Sequence, residues 1–323
     1  TPSSCVSRRT DPSAVPDLVE RARAGQARAV ARLVSLVEDE SPLLRPVMAA
    51  LAPHTGRAHV VGLTGAPGVG KSTSTNALIG ALRAAGRSVG VLAVDPSSPF
   101  SGGALLGDRI RMQEHAADDA VFIRSMASRG HLGGLSFTTP QAVRVLDAAG
   151  FDVVLVETVG VGQSEVEVAG LADTTMVLLA PGMGDGIQAA KAGILEVGDL
   201  YVVNTADRDG ADRLRRDLRA GLALTERAAD AWQPPILATV AQTGQGVDEV
   251  VEGLEQHRTW LQETGQLAVR RARRARAEVE AVAVAALRTR WELGDHSALD
   301  ALAAAVAAGE QDPYAAADAL LGE

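Results

Sequence analysis

Apolar residues follow two rhythms along this chain. Over residues 14–53 they recur at helical spacing, and in DLVERARAGQARAVARLVSLVED the residues Leu33, Leu36 and Val37 share one side of a predicted helix. Pro42, Pro46 and Pro53 punctuate the exit. From about residue 56 short, near-continuous apolar runs take over: HVVGLT, SVGVLAVD, AVFIRS, DVVLVE, TTMVLLA, DLYVVN and PILATV, with helical segments between them. Runs of that kind predict a parallel sheet with both faces covered. After about residue 258 the runs stop. RRARRARAEVEAVAVAALRTRW reads as a long helix with Val279, Val282, Ala283 and Ala286 on one stripe, and SALDALAAAVAAGEQDPYAAADALL as two shorter helices around Asp312-Pro313. The pattern predicts an α/β fold, a mostly parallel doubly wound sheet with helical extensions at both ends. The divisions fall at residues 1–55, 56–258 and 259–323. Sheets of this kind bind ligands at the carboxyl ends of their strands.

Composition narrows the function classes. A chain of 323 residues buries a full core. No run of about 18 apolar residues occurs, so no membrane span is expected. TPSSCVSRRTDPS lacks the apolar core of a secretory signal. Cys5 is the single cysteine, which excludes an internal disulfide and a thiolate metal cluster and fits a reducing, cytoplasmic setting. A net charge of −9 argues against nucleic acid as the main partner. Arg270, Arg271, Arg273, Arg274 and Arg276 form a basic run that reads as a solvated helix face or a salt-bridged subunit contact. Of 31 Lys+Arg residues only Lys71 and Lys191 are lysines. Codon bias in a GC-rich genome would account for most of that asymmetry. A compact ammonium nevertheless fits tight sites where a planar guanidinium does not.

Three motifs carry chemistry, each at the end of a predicted strand. GAPGVGKS, Gly65 to Ser72, fits the P-loop pattern G-x-x-x-x-G-K-[ST] at every fixed position, with HVVGLT before it and STSTNALIGALRAA after it. Gly86 stands where it would cap that helix. The backbone of Gly65, Ala66, Pro67, Gly68, Val69, Gly70, Lys71, Ser72 and Thr73 is expected to cradle phosphates. Lys71 reaches the β- and γ-phosphates and Ser72 binds Mg²⁺. In DVVLVETVGVGQSE the strand delivers Glu157, a carboxylate for Mg²⁺ directly or through water, and Gly160 offers its N–H to the γ-phosphate. Val161 stands where many GTPases place a Gln, so slow hydrolysis is expected, with Gln163 a weaker candidate for the same task. LAVDPSSP places Asp95 as a second carboxylate for the metal or its waters.

The third motif is NTAD, where Asp207 can accept from guanine N1–H and N2 amino donors that adenine lacks. Asn204 braces the loop, and in VAQTGQG the Ala241 N–H reaches guanine O6. Two Gly-rich segments, SGGALLGDRIRM and PGMGDGIQAAK, read as mobile loops, and Lys191 ends the second as a functional or a solvated lysine.

GAPGVGKST, VLAVDPSSPFSGGALLGDRIRM, GFDVVLVETVGVGQSE, PGMGDGIQAAKAGILEVGDL and NTAD together resemble the MeaB/ArgK family of P-loop GTPases, chaperones of adenosylcobalamin-dependent methylmalonyl-CoA mutase. The resemblance implies a G-domain fold and a homodimer, built through the C-terminal arm, that binds GTP/GDP and Mg²⁺. It further implies a role in gating the loading of intact cofactor into an acyl-CoA mutase and the release of damaged cofactor. PGMGDGIQAAK would be a switch sensing nucleotide and partner, with Lys191 among the catalytic residues beside Lys71, Glu157 and Gly160. Thr205 departs from the family, which carries Lys there, and this bears on guanine affinity more than on guanine preference. Two other functions compete. A nickel-delivery GTPase needs Cys/His ligands near the switch loops, whereas Cys5 is remote and the six histidines are scattered. A P-loop kinase needs a base beside an acceptor pocket, and no such pairing stands out.

Overall fold

The computed structural model describes residues 11–96, 115, 117–128, 138–158, 164–182, 195–224, 228, 230–292 and 297–321. The chain forms two compact units, Thr1–Arg271 and Ala272–Glu323. The first opens with three helices, α1 (Val15–Arg23), α2 (Ala27–Glu38) and α3 (Leu44–Leu51). Their apolar stripes bury Val15, Val19, Leu33, Val34, Val37, Val47 and Leu51, as the helical spacing requires. An ion pair from Arg124 to Glu38 ties α2 to the sheet.

All seven apolar runs become strands: β1 (His59–Thr64), β2 (Val89–Pro96), β3 (Val121–Ser128), β4 (Val153–Thr158), β5 (Thr174–Leu179), β6 (Leu200–Val203) and β7 (Ile236–Ala238). They form one sheet in the order β3-β2-β4-β1-β5-β6-β7. Every adjacent pair is parallel. Between and after them run α4 (Lys71–Ala84), α5 (Thr139–Ala148), α6 (Ser164–Leu171), the short α7 (Leu195–Val197), α8 (Ala211–Ala223) and α9 (Val247–Glu263).

Strand alternation sorts the core into two layers. Val61 and Leu63 of β1, Val153 and Leu155 of β4, and Met176 and Leu178 of β5 pack with Leu78, Ile79 and Leu82 of α4 and Val250 and Leu254 of α9. The alternate residues Val60, Val154 and Val156 pack against α1–α3, α5 and α6. Adjacent strands β1 and β4 thus send their following helices to opposite faces. This is a topological switch point, and sheets of this kind bind ligands outside the carboxyl ends of the strands at such a point. Gly86 closes α4 as expected: its φ is +77°, and Arg87 N donates to Leu82 O at 2.9 Å.

The amino ends of the strands carry a buried polar network. A bidentate pair joins Arg270 to Asp199, both bonds at 2.8 Å. Arg271 bonds Asp173 at 2.8 and 3.2 Å. Two members of the basic run therefore make ion pairs within the chain at the base of the sheet. Beside them Thr174 Oγ1 lies 2.7 Å from His59 Nε2 and 2.8 Å from His257 Nδ1. His257 sits against Trp232 and Trp260.

The helix α10 (Gln266–Glu292) begins in the first unit and runs into the second, which also holds α11 (Ser297–Ala307) and α12 (Pro313–Leu321). Asp312 caps α12, its Oδ1 accepting from Tyr314 N at 2.9 Å. Val279, Val282, Val284 and Leu287 of α10 are exposed. Among the described residues no helix is long and apolar enough to cross a membrane.

Candidate functional site

The site begins where β1 ends. Two loop positions admit only glycine. Gly65 has φ +145°, and a Cβ there would lie 2.3 Å from Leu178 O. Gly70 has φ +89°, and its Cβ would meet Asn204 Nδ2 at 2.5 Å. Gly70 occupies the N-cap of α4 without a side-chain cap. A helix start of this form suits an anion, because backbone N–H groups and the positive dipole end point the same way.

Lys71 is 8% exposed. Its Nζ donates to Gly65 O at 2.6 Å and Ala66 O at 3.0 Å, which holds the ammonium beneath the loop. Register brings Glu157 alongside, since Leu63 of β1 pairs with Glu157 of β4. By alternation Glu157 follows Val153 and Leu155 onto the α4 face. There its Oε1 accepts from Ser72 Oγ at 2.7 Å and its Oε2 from Thr75 Oγ1 at 2.8 Å. Glu157 is 6% exposed. A hydroxyl and a carboxylate side by side offer hard oxygen donors. Among the described residues no group of three or more His, Cys, Asp or Glu could hold a metal ion. The pairing of a hydroxyl with a carboxylate suits Mg²⁺, which keeps waters and shares phosphates rather than filling a protein cage. Asp95 lies in β2 opposite Ala127 of β3, on the strand next to β4.

A second cluster forms around Asn204, which is 3% exposed. Its Nδ2 donates to Val69 O at 3.0 Å, and its Oδ1 accepts from Ala241 N at 3.1 Å and Thr239 Oγ1 at 3.3 Å. One side chain thus joins the phosphate loop to the segment after β7. The Ala241 N–H, expected at guanine O6, is held here by Asn204. Thr205 is left-handed, φ 51°, an uncommon conformation for a β-branched residue. Its Oγ1 donates to Asn204 O at 2.7 Å. Asp207 follows on an exposed turn. Gly160, Val161, Gln163, Lys191 and residues 101–112 lie outside the described residues.

The structure therefore brings Lys71, Ser72 and Glu157 into one cluster and Val69, Asn204 and Ala241 into another, with the loop Gly65–Gly70 common to both. Reading the sequence missed Thr75 and Thr239. Thr75 lies three residues after Ser72, on the same helix face, which is the one signal that points to it.

A family model described as Methylmalonyl Co-A mutase-associated GTPase MeaB matches residues 30–294. The chain belongs to the MeaB family. This P-loop GTPase is 47% identical to a putative GTPase of Pyrococcus horikoshii, over 95% of this chain and 97% of that one. It is 40% identical to the GTPase ArgK of Escherichia coli, over 77% of each chain. It is also 40% identical to the mouse protein named methylmalonic aciduria type A homolog, mitochondrial, over 65% of this chain and 52% of that one. Among solved structures, one described as an LAO/AO transport system kinase aligns with a TM-score of 0.73 and 29% identity, covering 97% of this chain and 98% of its own.

Proposed function

We propose that this MeaB-family GTPase is a slow, partner-responsive switch that binds GTP and GDP with Mg²⁺ and gates cofactor loading of an adenosylcobalamin-dependent acyl-CoA mutase. The observation that carries the reading is the contact of Ser72 with Glu157 beneath the loop that also holds Lys71. Phosphoryl transfer leaves the protein chiefly the tasks of positioning and of offsetting charge. In this reading the first turn of α4 and the loop N–H groups bind the phosphates. The Lys71 ammonium turns from its carbonyl partners to the β- and γ-phosphates. Ser72 and Glu157 hold Mg²⁺, with Asp95 acting on its waters. The metal, when bound, offsets charge developing between the β- and γ-phosphate oxygens. Gly160 supplies an N–H to the γ-phosphate, and Lys191 completes the site when the partner binds. Asp207 reads the guanine, and Asn204 keeps the base loop in register with the phosphate loop.

The family's name supports the mutase as partner, and the exposed Val and Leu residues of α10 support the arm as the contact of a homodimer. A cytoplasmic setting accords with the single cysteine. Two measurements test the function. Affinity capture with a methylmalonyl-CoA mutase, in GDP and in a non-hydrolysable GTP analogue, should give a complex whose stability depends on the nucleotide. Incubation with γ-labelled GTP should release free phosphate, whereas a labelled acceptor would make the protein a kinase.

A further inference from the structure

Thr75 is buried to 0% exposure in the second turn of α4, and it takes no part in the phosphate-loop pattern. Its hydroxyl has a single hydrogen and two acceptors within reach: Lys71 O at 3.0 Å and Glu157 Oε2 at 2.8 Å. A Thr hydroxyl inside a helix commonly bonds back to the carbonyl four residues earlier. Doing so here would turn a lone pair onto a carboxylate oxygen, so the hydrogen goes to Glu157. Ser72 meets the other oxygen of the same carboxylate at 2.7 Å. Two hydroxyls from one face of α4 therefore grip Glu157 at both ends and fix its plane. Only Ser72 stands at the start of the helix, where phosphates would lie; Thr75 is fully covered.

We propose that Thr75 is the positioning residue for Glu157, pinning Oε2 so that Oε1 stays aimed at Ser72 and the magnesium position. The proposal rests on the reading of Ser72 and Glu157 as Mg²⁺ ligands. A carboxylate that binds a metal through one oxygen depends on what holds the other. Removing such outer partners typically costs 10- to 100-fold in metal affinity. Thr75 acts through Glu157 and touches neither nucleotide nor metal.

The test measures binding of a fluorescent GDP (N-methylanthraniloyl-GDP) while MgCl₂ is titrated, and again in EDTA. Thr75→Val keeps the shape and deletes the donor; Thr75→Ser keeps the donor. The expected result is a 10- to 100-fold rise in the Mg²⁺ half-saturation for Thr75→Val, near-wild-type behaviour for Thr75→Ser, and unchanged GDP affinity in EDTA. A Thr75→Val half-saturation within twofold of wild type overturns the proposal. Equal losses with and without Mg²⁺ also overturn it, since the hydroxyl would then serve the fold. Thr75→Ala, which deletes the same donor with less bulk, is measured if the Val variant does not fold, and failure of both to fold counts against the proposal. Ser72→Ala and Glu157→Gln separate this claim from the one beneath it. If neither changes the Mg²⁺ dependence, the metal site itself is wrong. If both change it and Thr75→Val does not, only the role of Thr75 fails.

Discussion

Thr205→Lys should tighten GTP and GDP alike without altering the preference for guanine. Thr205 stands between Asn204, which ties this loop to Val69, and Asp207, which is proposed to read the base. A lysine stem laid along a purine face would cover about 40–80 Å² of apolar surface, equivalent to about 1–2 kcal/mol at ~25 cal/mol per Å². That is roughly 5- to 30-fold in Kd. Backbone strain is a confounding effect, because Thr205 is left-handed at φ 51° and any unbranched residue there relaxes it. Thr205→Gly separates the two. It relieves strain of about 1–3 kcal/mol, less up to about 1 kcal/mol of added chain entropy, and supplies no stem. Both variants lose the hydrogen bond from Thr205 Oγ1 to Asn204 O, so they compare directly. Isothermal titration with GDP and ADP is the assay, with thermal melts alongside. The Lys variant should bind GDP tighter than the Gly variant, and the Gly variant should melt at or above wild type. If Thr205→Gly tightens GDP as much as Thr205→Lys, the gain comes from backbone relief and the stacking argument is refuted.

Three further outcomes are expected. Asn204→Ala removes three buried hydrogen bonds, to Val69, Thr239 and Ala241, and should cost about 2–4 kcal/mol in denaturant unfolding while weakening GDP; a loss below about 0.5 kcal/mol would mean the bridge is idle. Burial holds His59 down to about 3 and His257 down to about 4, with Asp173 and Asp199 respectively opposing that shift. Unfolded histidine takes a proton near pH 6.5, so their contribution is intact above that pH and is lost as pH falls toward 4. Each adds up to about 1.4 kcal/mol per pH unit, so His257→Phe should flatten the fall in melting temperature between pH 6.5 and 4.5, and an unchanged slope would contradict this. Deleting residues 272–323 should leave the first unit folded and, if the arm is the dimer contact, monomeric by light scattering; a truncated dimer would move that contact elsewhere.

Much of the fold is legible in the sequence for a simple reason. Strands buried on both faces must be apolar throughout, so HVVGLT, DVVLVE and TTMVLLA announce themselves, and the phosphate loop is marked by glycines that the Leu178 carbonyl requires at 65 and the Asn204 side chain at 70. Glu157 is legible because a lone carboxylate ends an apolar run. Other features depend on partners far along the chain. Thr75 and Glu157 are 82 residues apart, and only register places them in contact. Arg270 and Arg271 look like part of a solvated basic stripe until the fold brings Asp199 and Asp173 to them from 71 and 98 residues away. The boundary of the arm is similarly hidden: residues 259–263 continue α9, where Leu261 is fully buried, whereas the compact unit extends to Arg271. Left-handed Thr205 runs against the local preference of a β-branched residue, so propensity points away from it.

A partner-responsive GTPase is tested by single-turnover release of phosphate from γ-labelled GTP, with γ-labelled ATP as the parallel substrate. It is run with and without a methylmalonyl-CoA mutase, on wild type and Lys71→Ala. GTP hydrolysis should run well below about 1 s⁻¹ for the isolated protein, faster with the mutase and near zero in Lys71→Ala, with little release from ATP under any condition. Equal release from ATP and GTP, or undiminished turnover in Lys71→Ala, would contradict a partner-responsive GTPase.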